Sequence, residues 1–353
     1  NGSIFRTACP SISNMGAFLD PGSIVLFLSA VGTVTYSTYR TASQKLPQAV
    51  EGSVSDIKAT HALIFVIAGS ISLLLLFYFL NAMSILLTIL FFFACSAALT
   101  FLLSPLADAI WPRRLPKECR IPWIGLVPTA MMALYFLSMA LVLVYLLTRS
   151  YPWSWLLNNV LGFALCVQFL SLLRIPSLKV ATIVLVLIFF YDMFWVFFSK
   201  YFFGDNVMVK AASLELPIKL MMPLFLSGSP DEWDYTMIGL GDLVLPGLLV
   251  AFALRFDLSR PSVSIKNGYW AWSLGGYIVG LATCYIVLFT FKAAQPAMIY
   301  LGPSTVGAVS ILGWRRNELE ELWSGKSLVS TTTTPSDIES ERLISEPNPS
   351  SAV

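Results

Sequence analysis

Apolar residues along this chain gather into long runs separated by short polar stretches. Runs long enough to cross a hydrocarbon core of about 30 Å fall at 22–38, 62–79, 83–104, 126–148, 155–173, 180–199, 236–255, 268–290 and 296–313. The second and third are parted only by the stretch around Phe79 to Met83, which predicts a tight helical hairpin. Pro296 and Gly302-Pro303 interrupt the ninth. The pattern predicts an all-α polytopic membrane protein with nine transmembrane helices, its two ends on opposite sides of the bilayer. Three regions follow: a short N-terminal segment 1–21, a membrane domain 22–313, and a disordered tail 314–353 rich in Ser, Thr, Pro and Glu.

Composition agrees with the runs. Of 353 residues 57% are hydrophobic and 12% charged, with a mean hydropathy of +0.75. A soluble chain carries about a quarter charged residues. The net charge of +2 gives no basic patch for nucleic acid. Cys9, Cys95, Cys119, Cys166 and Cys284 lack paired spacing, which speaks against a disulfide framework or a zinc site. The single histidine, His61, stands at the mouth of the second run, so neither a Ser-His pair nor an H-E-x-x-H site can be assembled. No phosphate-binding G-x-x-x-x-G-K-S/T run occurs, and no cofactor or metal is expected. The chain begins at Asn1 with its first Met at Met15, so residues 1–14 are read as a non-native or processed terminus. The sequon Asn1-Gly2-Ser3 is discounted on that ground.

Basic residues set the orientation. With the N-terminus lumenal and the C-terminus cytosolic, sixteen of the 22 Lys and Arg face the cytosol, as the positive-inside rule requires. Arg113, Arg114, Lys117 and Arg120 then form a cytosolic loop suited to anionic lipid headgroups.

Against this background two carboxylates stand out. Of 20 acidic residues only Asp192 and Asp242 fall well inside apolar runs. A carboxylate at bilayer depth costs at least about 2.5–3.5 kcal/mol and usually marks function. Asp192 lies twelve residues beyond Val180, about 18 Å along a helix rising from the cytosolic face. Asp242 lies thirteen residues before Arg255, about 20 Å from the same face on a descending helix. Paired carboxyls at one depth share a proton. The ionised member serves as general base on a water, and the protonated member polarises a peptide carbonyl. Gly239 and Gly241 flank Leu240 just before Asp242, letting the two helices approach and baring backbone for a substrate. A hydrogen-bonding Asp used only for helix packing, and a proton- or ion-coupled transporter with midplane carboxylates, remain the alternatives at this point.

At these residues the chain resembles the signal peptide peptidase-like family of G-x-G-D intramembrane aspartyl proteases, relatives of presenilin. Tyr191-Asp192 matches the family's Y-D motif, Gly239-Leu240-Gly241-Asp242 its G-x-G-D motif, and Gln295-Pro296-Ala297 the start of its Q-P-A-L motif. Met298 stands where the family has leucine, a near volume-conserving exchange. Further similarity lies in 174–179, 192–209 and Trp314-Arg315-Arg316. It covers most of the chain and is nearest to the branch without a large lumenal N-terminal domain. The loop at 200–235 is shorter than in close relatives. The resemblance implies a presenilin-like bundle, Asp192 and Asp242 as the catalytic pair, and Tyr191 beside them. It also implies that Pro296 and Ala297 shape the cleft, and that substrates are transmembrane helices of type II membrane proteins or signal-peptide remnants. Without it, Pro296 reads equally well as a simple helix start.

Three weaker patterns remain. Gly276 and Gly280 form a G-x-x-x-G, read as close packing inside the bundle or as a homo-oligomer face. Residues 214–220, L-E-L-P-I-K-L, alternate like a strand that an extended substrate could pair with, or form a plain lumenal loop. In the tail, Glu339 followed by Leu343 and Ile344 fits an acidic dileucine signal for a clathrin adaptor. That pattern points to endosome, vacuole or lysosome, while the family resemblance suggests the Golgi.

Overall fold

The computed structural model describes residues 20–43, 55–56, 59–110, 118–121, 125–203, 216–225, 235–260, 267–291 and 295–325. The sorting residues Glu339, Leu343 and Ile344, residues 1–14, the basic loop residues 113–117, much of the 200–235 loop and the His61 side chain lie outside the described part.

Each apolar run holds a helix. These are α1 (Pro21–Ser43), α2 (Ala59–Tyr78), α3 (Leu80–Ile110), α4 (Thr129–Thr148), α5 (Ser154–Leu172), α6 (Leu178–Met193), α8 (Leu240–Leu258), α9 (Tyr269–Phe291) and α10 (Met298–Arg315). A π-helical turn, Phe194–Phe198, joins α6 to the short α7 (Ser199–Phe203). Five of the helices are long and apolar enough by themselves to cross a membrane: Ala82–Leu106, Thr129–Thr148, Ser154–Leu172, Leu178–Phe198 and Tyr269–Leu288. The chain is thus a multi-pass membrane protein, largely helical.

Helices α1, α8 and α10 are more polar, and α8 is surrounded by protein. Helix α8 lies at the centre, packed by α1, α5, α6, α9 and α10, with Leu249, Val250, Phe252 and Ala253 fully buried. Helix α1 packs on it with Thr33, Ser37 and Thr38 buried. The Thr33 hydroxyl donates to the Ser29 carbonyl at 2.7 Å and that of Ser37 to the Thr33 carbonyl at 2.6 Å, so these groups enter the bundle already satisfied. Arg40 of α1 donates to the Phe101 and Leu102 carbonyls, each at 2.8 Å. Pro105 inside α3 has no N–H for the Phe101 carbonyl, and the guanidinium takes its place.

Strands break the all-helical expectation. Among the described residues three two-stranded ladders form: β1 (Ser55–Asp56) with β4 (Leu173–Arg174), β2 (Glu118–Ile121) with β3 (Gly125–Pro128), and β5 (Lys219–Pro223) with β6 (Tyr235–Gly239). Two runs read as helix from their first residue, 126–148 and 236–255, therefore start as strand. Part of the region expected to be disordered tail is helical. Residues 314–315 complete α10, and α11 (Leu319–Ser324) folds back, ending at Gly325 with φ 69°. A side chain at Gly325 would meet the Pro176 carbonyl at 2.2 Å, so α11 ends against the start of α6. There Ser177 caps α6, accepting from the Val180 N–H at 3.3 Å.

The G-x-x-x-G alternatives resolve to packing within the chain. A Cβ at Gly276 would lie 2.5 Å from the Ser304 carbonyl oxygen, and one at Gly280 2.2 Å from the Ser304 hydroxyl. Bare glycine backbone is what brings α9 onto α10.

Candidate active site

The β5–β6 ladder aims the G-x-G-D segment. It is antiparallel, pairing Lys219 with Gly239, Leu220 with Ile238 and Met221 with Met237. The Leu240 N–H extends it, donating to the Ile218 carbonyl at 2.8 Å. Gly239 is extended, φ −68° and ψ 144°, and the chain turns from strand into α8 at that residue. Asp242 therefore stands in the first turn of α8 and not mid-helix, though still far from the Arg255 end. Pro246 offers no N–H to the Asp242 carbonyl, leaving that turn without one of its bonds. The two glycines differ from expectation. A Cβ on Gly239 would only touch the Asp242 carboxyl at 3.4 Å, and one on Gly241 would meet nothing within 4 Å. Gly241 thus keeps space open beside Asp242 and does not serve helix approach.

Asp192 comes from the other side. It lies at the end of α6, which packs on α8, and the π-helical turn begins two residues later. Such turns recur at functional sites because they re-aim side chains within a helix. The packing of α6 on α8 sets the Asp192 carboxyl within electrostatic range of Asp242. Tyr191 rests on α2, where a Cβ at Gly69 would lie 3.3 Å from its hydroxyl. Its ring meets buried Trp195 edge-on at 6.2 Å.

Two other carboxyls are more fully enclosed than Asp192 and Asp242, which are half-buried. Asp20 and Asp257 are 0% and 2% exposed. Both are committed to structure. Asp20 accepts from the N–H of Gly22 at 2.7 Å and of Phe225 at 3.2 Å. Asp257 accepts from the N–H of Tyr269 at 2.9 Å and of Trp270 at 2.8 Å, capping α9. Among the described residues Asp192 and Asp242 make no hydrogen bond or ion pair of this kind.

The Q-P-A segment begins α10, which packs on both α6 and α8. Pro296 is buried, Ala297 is the N-cap, and Met298 is 1% exposed in the core. Gln295 accepts from the Tyr300 hydroxyl at 2.6 Å. Pro296 is followed within two residues by regular helix, as the simpler reading held.

Residues that the sequence reading passed over surround β5. The strand lies on α5, where Asn159 accepts from the Met221 N–H at 2.8 Å and donates to the Met221 carbonyl at 2.6 Å. Asn158 donates to the Lys219 carbonyl at 2.6 Å and accepts from the Tyr145 hydroxyl at 3.1 Å. A Cβ at Gly162 would touch Leu220 at 3.1 Å and Leu240 at 3.4 Å. The available signal was two adjacent amides inside an apolar run. The Tyr277 hydroxyl of α9 is also buried, without a hydrogen-bond partner among the described residues, in range of the Asp242 charge.

Comparison with known proteins places this geometry. A family model described as signal peptide peptidase matches residues 49–328. Signal peptide peptidase-like 1 of Oryza sativa subsp. japonica is 34% identical over 89% of this chain and 96% of its own length. Signal peptide peptidase-like 1 of Arabidopsis thaliana is 32% identical over 91% of this chain and 97% of its own length. Signal peptide peptidase-like 3 of Oryza sativa subsp. japonica is 34% identical over 79% of this chain and 54% of its own length. On the extent of these matches, the chain belongs to the signal peptide peptidase family, a family of intramembrane proteases.

Proposed function

We propose that this protein is an intramembrane aspartyl protease in which Asp192 and Asp242 cut peptide bonds inside membrane-spanning segments of type II proteins. The observation that carries the reading is the contrast among the carboxyls of the helical bundle. Asp20 and Asp257 are spent on backbone N–H groups, whereas Asp192 and Asp242 face each other's charge with no structural partner among the described residues. A half-buried acid pair set among apolar helices without a structural task is costly to keep and is poised for chemistry.

One proton shared by the pair sets the reaction. The ionised carboxyl takes a proton from a water as its oxygen attacks the peptide carbonyl carbon, while the protonated carboxyl hydrogen-bonds the carbonyl oxygen. A proton then passes to the leaving nitrogen, the C–N bond breaks, and the pair returns to its singly protonated state. Regular helix hides its peptide groups, so substrate must extend locally. Lys219 and Met221 direct their outer backbone groups to α5, which leaves β6 as the strand whose far edge, at Met237, is open to a third strand. The pairing role assigned in sequence to 214–220 passes in this reading to β6. Tyr191, Gly239, Leu240, Gly241 and the segment Gln295 to Met298 shape the surrounding cleft.

Nine membrane crossings with a lumenal N-terminus complete the reading, supported by the basic-residue bias and by helices in all nine apolar runs. α6 then runs from cytosol to lumen, matching a type II substrate. The test is incubation of the purified protein with a labelled transmembrane peptide. Asp192→Ala and Asp242→Ala should each abolish product while the protein stays folded. Product surviving either change would refute the pair, and substrate-coupled ion flux without cleavage would favour a transporter.

A further inference from the structure

We propose that Asn158 and Asn159 of α5 are positioning residues for peptide cleavage: together they stand in for the third strand of the β5–β6 ladder and hold the G-x-G-D backbone in register. The proposal rests on the protease reading above. It begins from a deficit. A two-stranded ladder is marginal on its own, and strand edges in an apolar setting cannot turn to water for their unpaired groups. β5 has five residues, and one edge bonds β6.

The other edge can be followed group by group. The Lys219 carbonyl accepts from Asn158. The Met221 N–H and carbonyl are both met by Asn159, whose side-chain amide reproduces the donor and acceptor of a strand peptide. Pro223 has no N–H to satisfy. Beyond it the Phe225 N–H is met by Asp20. Side chains from α5 thus meet three backbone groups of this edge, and Asp20, just before α1, meets a fourth just past its end.

This bonding reaches the active site by two routes. Through the ladder, β5 fixes β6, and the Leu240 N–H bond to Ile218 carries the register one step further, to the turn that holds Asp242. Through packing, Gly162, one turn from Asn158, lets Leu220 and Leu240 settle together on α5, and Leu240 is the variable residue of G-x-G-D. A slip of one residue would turn every side chain of β6 to the opposite face. A substrate strand laid on β6 would then present a different peptide bond to the carboxyls. The Tyr145 hydroxyl of α4 completes the device by orienting the Asn158 amide.

The experiment uses the full-length protein and one labelled transmembrane peptide, with kcat and KM measured and every product mapped by mass spectrometry. Asn159→Asp keeps size and acceptor but loses the donor to Met221. It should lower kcat about tenfold, the equivalent of one hydrogen bond of ordinary net strength, with KM little changed. Its cleavage should also spread to neighbouring bonds. Unchanged kinetics overturn the proposal. So does a loss of rate with cleavage positions unchanged, because general loosening gives that result. Should Asn159→Asp fail to fold, Tyr145→Phe decides: it deletes one oxygen and should redistribute the products with a rate loss of about threefold. An Asp242→Ala control that still cuts would instead sink the aspartyl reading itself.

Discussion

At Asp257 a buried carboxylate holds two backbone N–H groups, and a Cβ on Gly268 would lie 2.2 Å from one of its oxygens, so the site is fitted closely around it. Asp257→Ala leaves both donors buried and unpaired. The cost should be about 1–2 kcal/mol, seen as a lower thermal midpoint, with cleavage per folded molecule retained. Asp242→Ala should give the opposite result, with the midpoint held or slightly raised and activity lost, because it removes a half-buried acid that no structural partner compensates. Sequence alone could single out Asp192 and Asp242, because acids inside apolar runs are conspicuous. It could not sort enclosed acids by task. Asp20 and Asp257 stand at the ends of apolar runs, where an acid reads as solvated, and only the fold shows the backbone groups they hold. Asn158 and Asn159 were overlooked for a related reason: an amide carries no charge, so its desolvation leaves a fainter mark on the pattern.

Between elements, the contact of α9 with α10 demands small residues. Gly275→Ala should be silent, since a Cβ there meets nothing within 4 Å. Gly276→Ala, one residue on, would place a methyl 2.5 Å from the Ser304 carbonyl oxygen, against backbone that cannot rotate away. The helices must part, at a cost of about 1–3 kcal/mol. Because α10 carries Pro296 and Ala297 at its start, cleavage should weaken as well. Measuring thermal midpoint and activity for the two alanines side by side checks this, and equal effects would refute the packing account. The G-x-x-x-G pattern was legible as close packing, but its partner was not, since small residues show that something approaches and not what. The strand β6 was illegible for another reason. Tyr235–Gly239 is apolar and continuous with α8, and a short apolar run has the same appearance in either conformation. What decides for strand is β5, whose pairing residues lie across the loop. Of 214–220, read as strand or as plain loop, only Lys219 and Leu220 belong to the ladder, after a bend at 216–218.

Over the whole molecule, one end is tied by charge. Arg260, following α8, pairs with Glu318 at 2.7 Å and with Glu321, while the Tyr269 hydroxyl donates to Glu318 at 2.6 Å. Arg316 donates to the Asn267 carbonyl at 2.8 Å and lies over the Tyr269 ring. The ends of α8 and α10, the start of α9 and the helix α11 therefore meet in one polar cluster. On the topology proposed from the basic-residue bias that end would face the cytosol, and residues 326–353 follow it in sequence. On the proposed topology Glu339, Leu343 and Ile344 would lie on the side where adaptor proteins act, past a helix fixed against α6. An adaptor needs the acid and the two apolar side chains offered together on accessible backbone, at the spacing these residues have. We therefore expect endosomal or vacuolar residence, and a tagged Leu343→Ala, Ile344→Ala variant should leave that compartment for the Golgi or the cell surface. Imaging against wild type checks it. Cleavage of a transmembrane peptide by the purified variant should be unaltered, because the substitutions lie beyond the cluster that closes this end of the bundle. An unchanged distribution would remove the address, and altered cleavage would show that the tail reaches the catalytic domain.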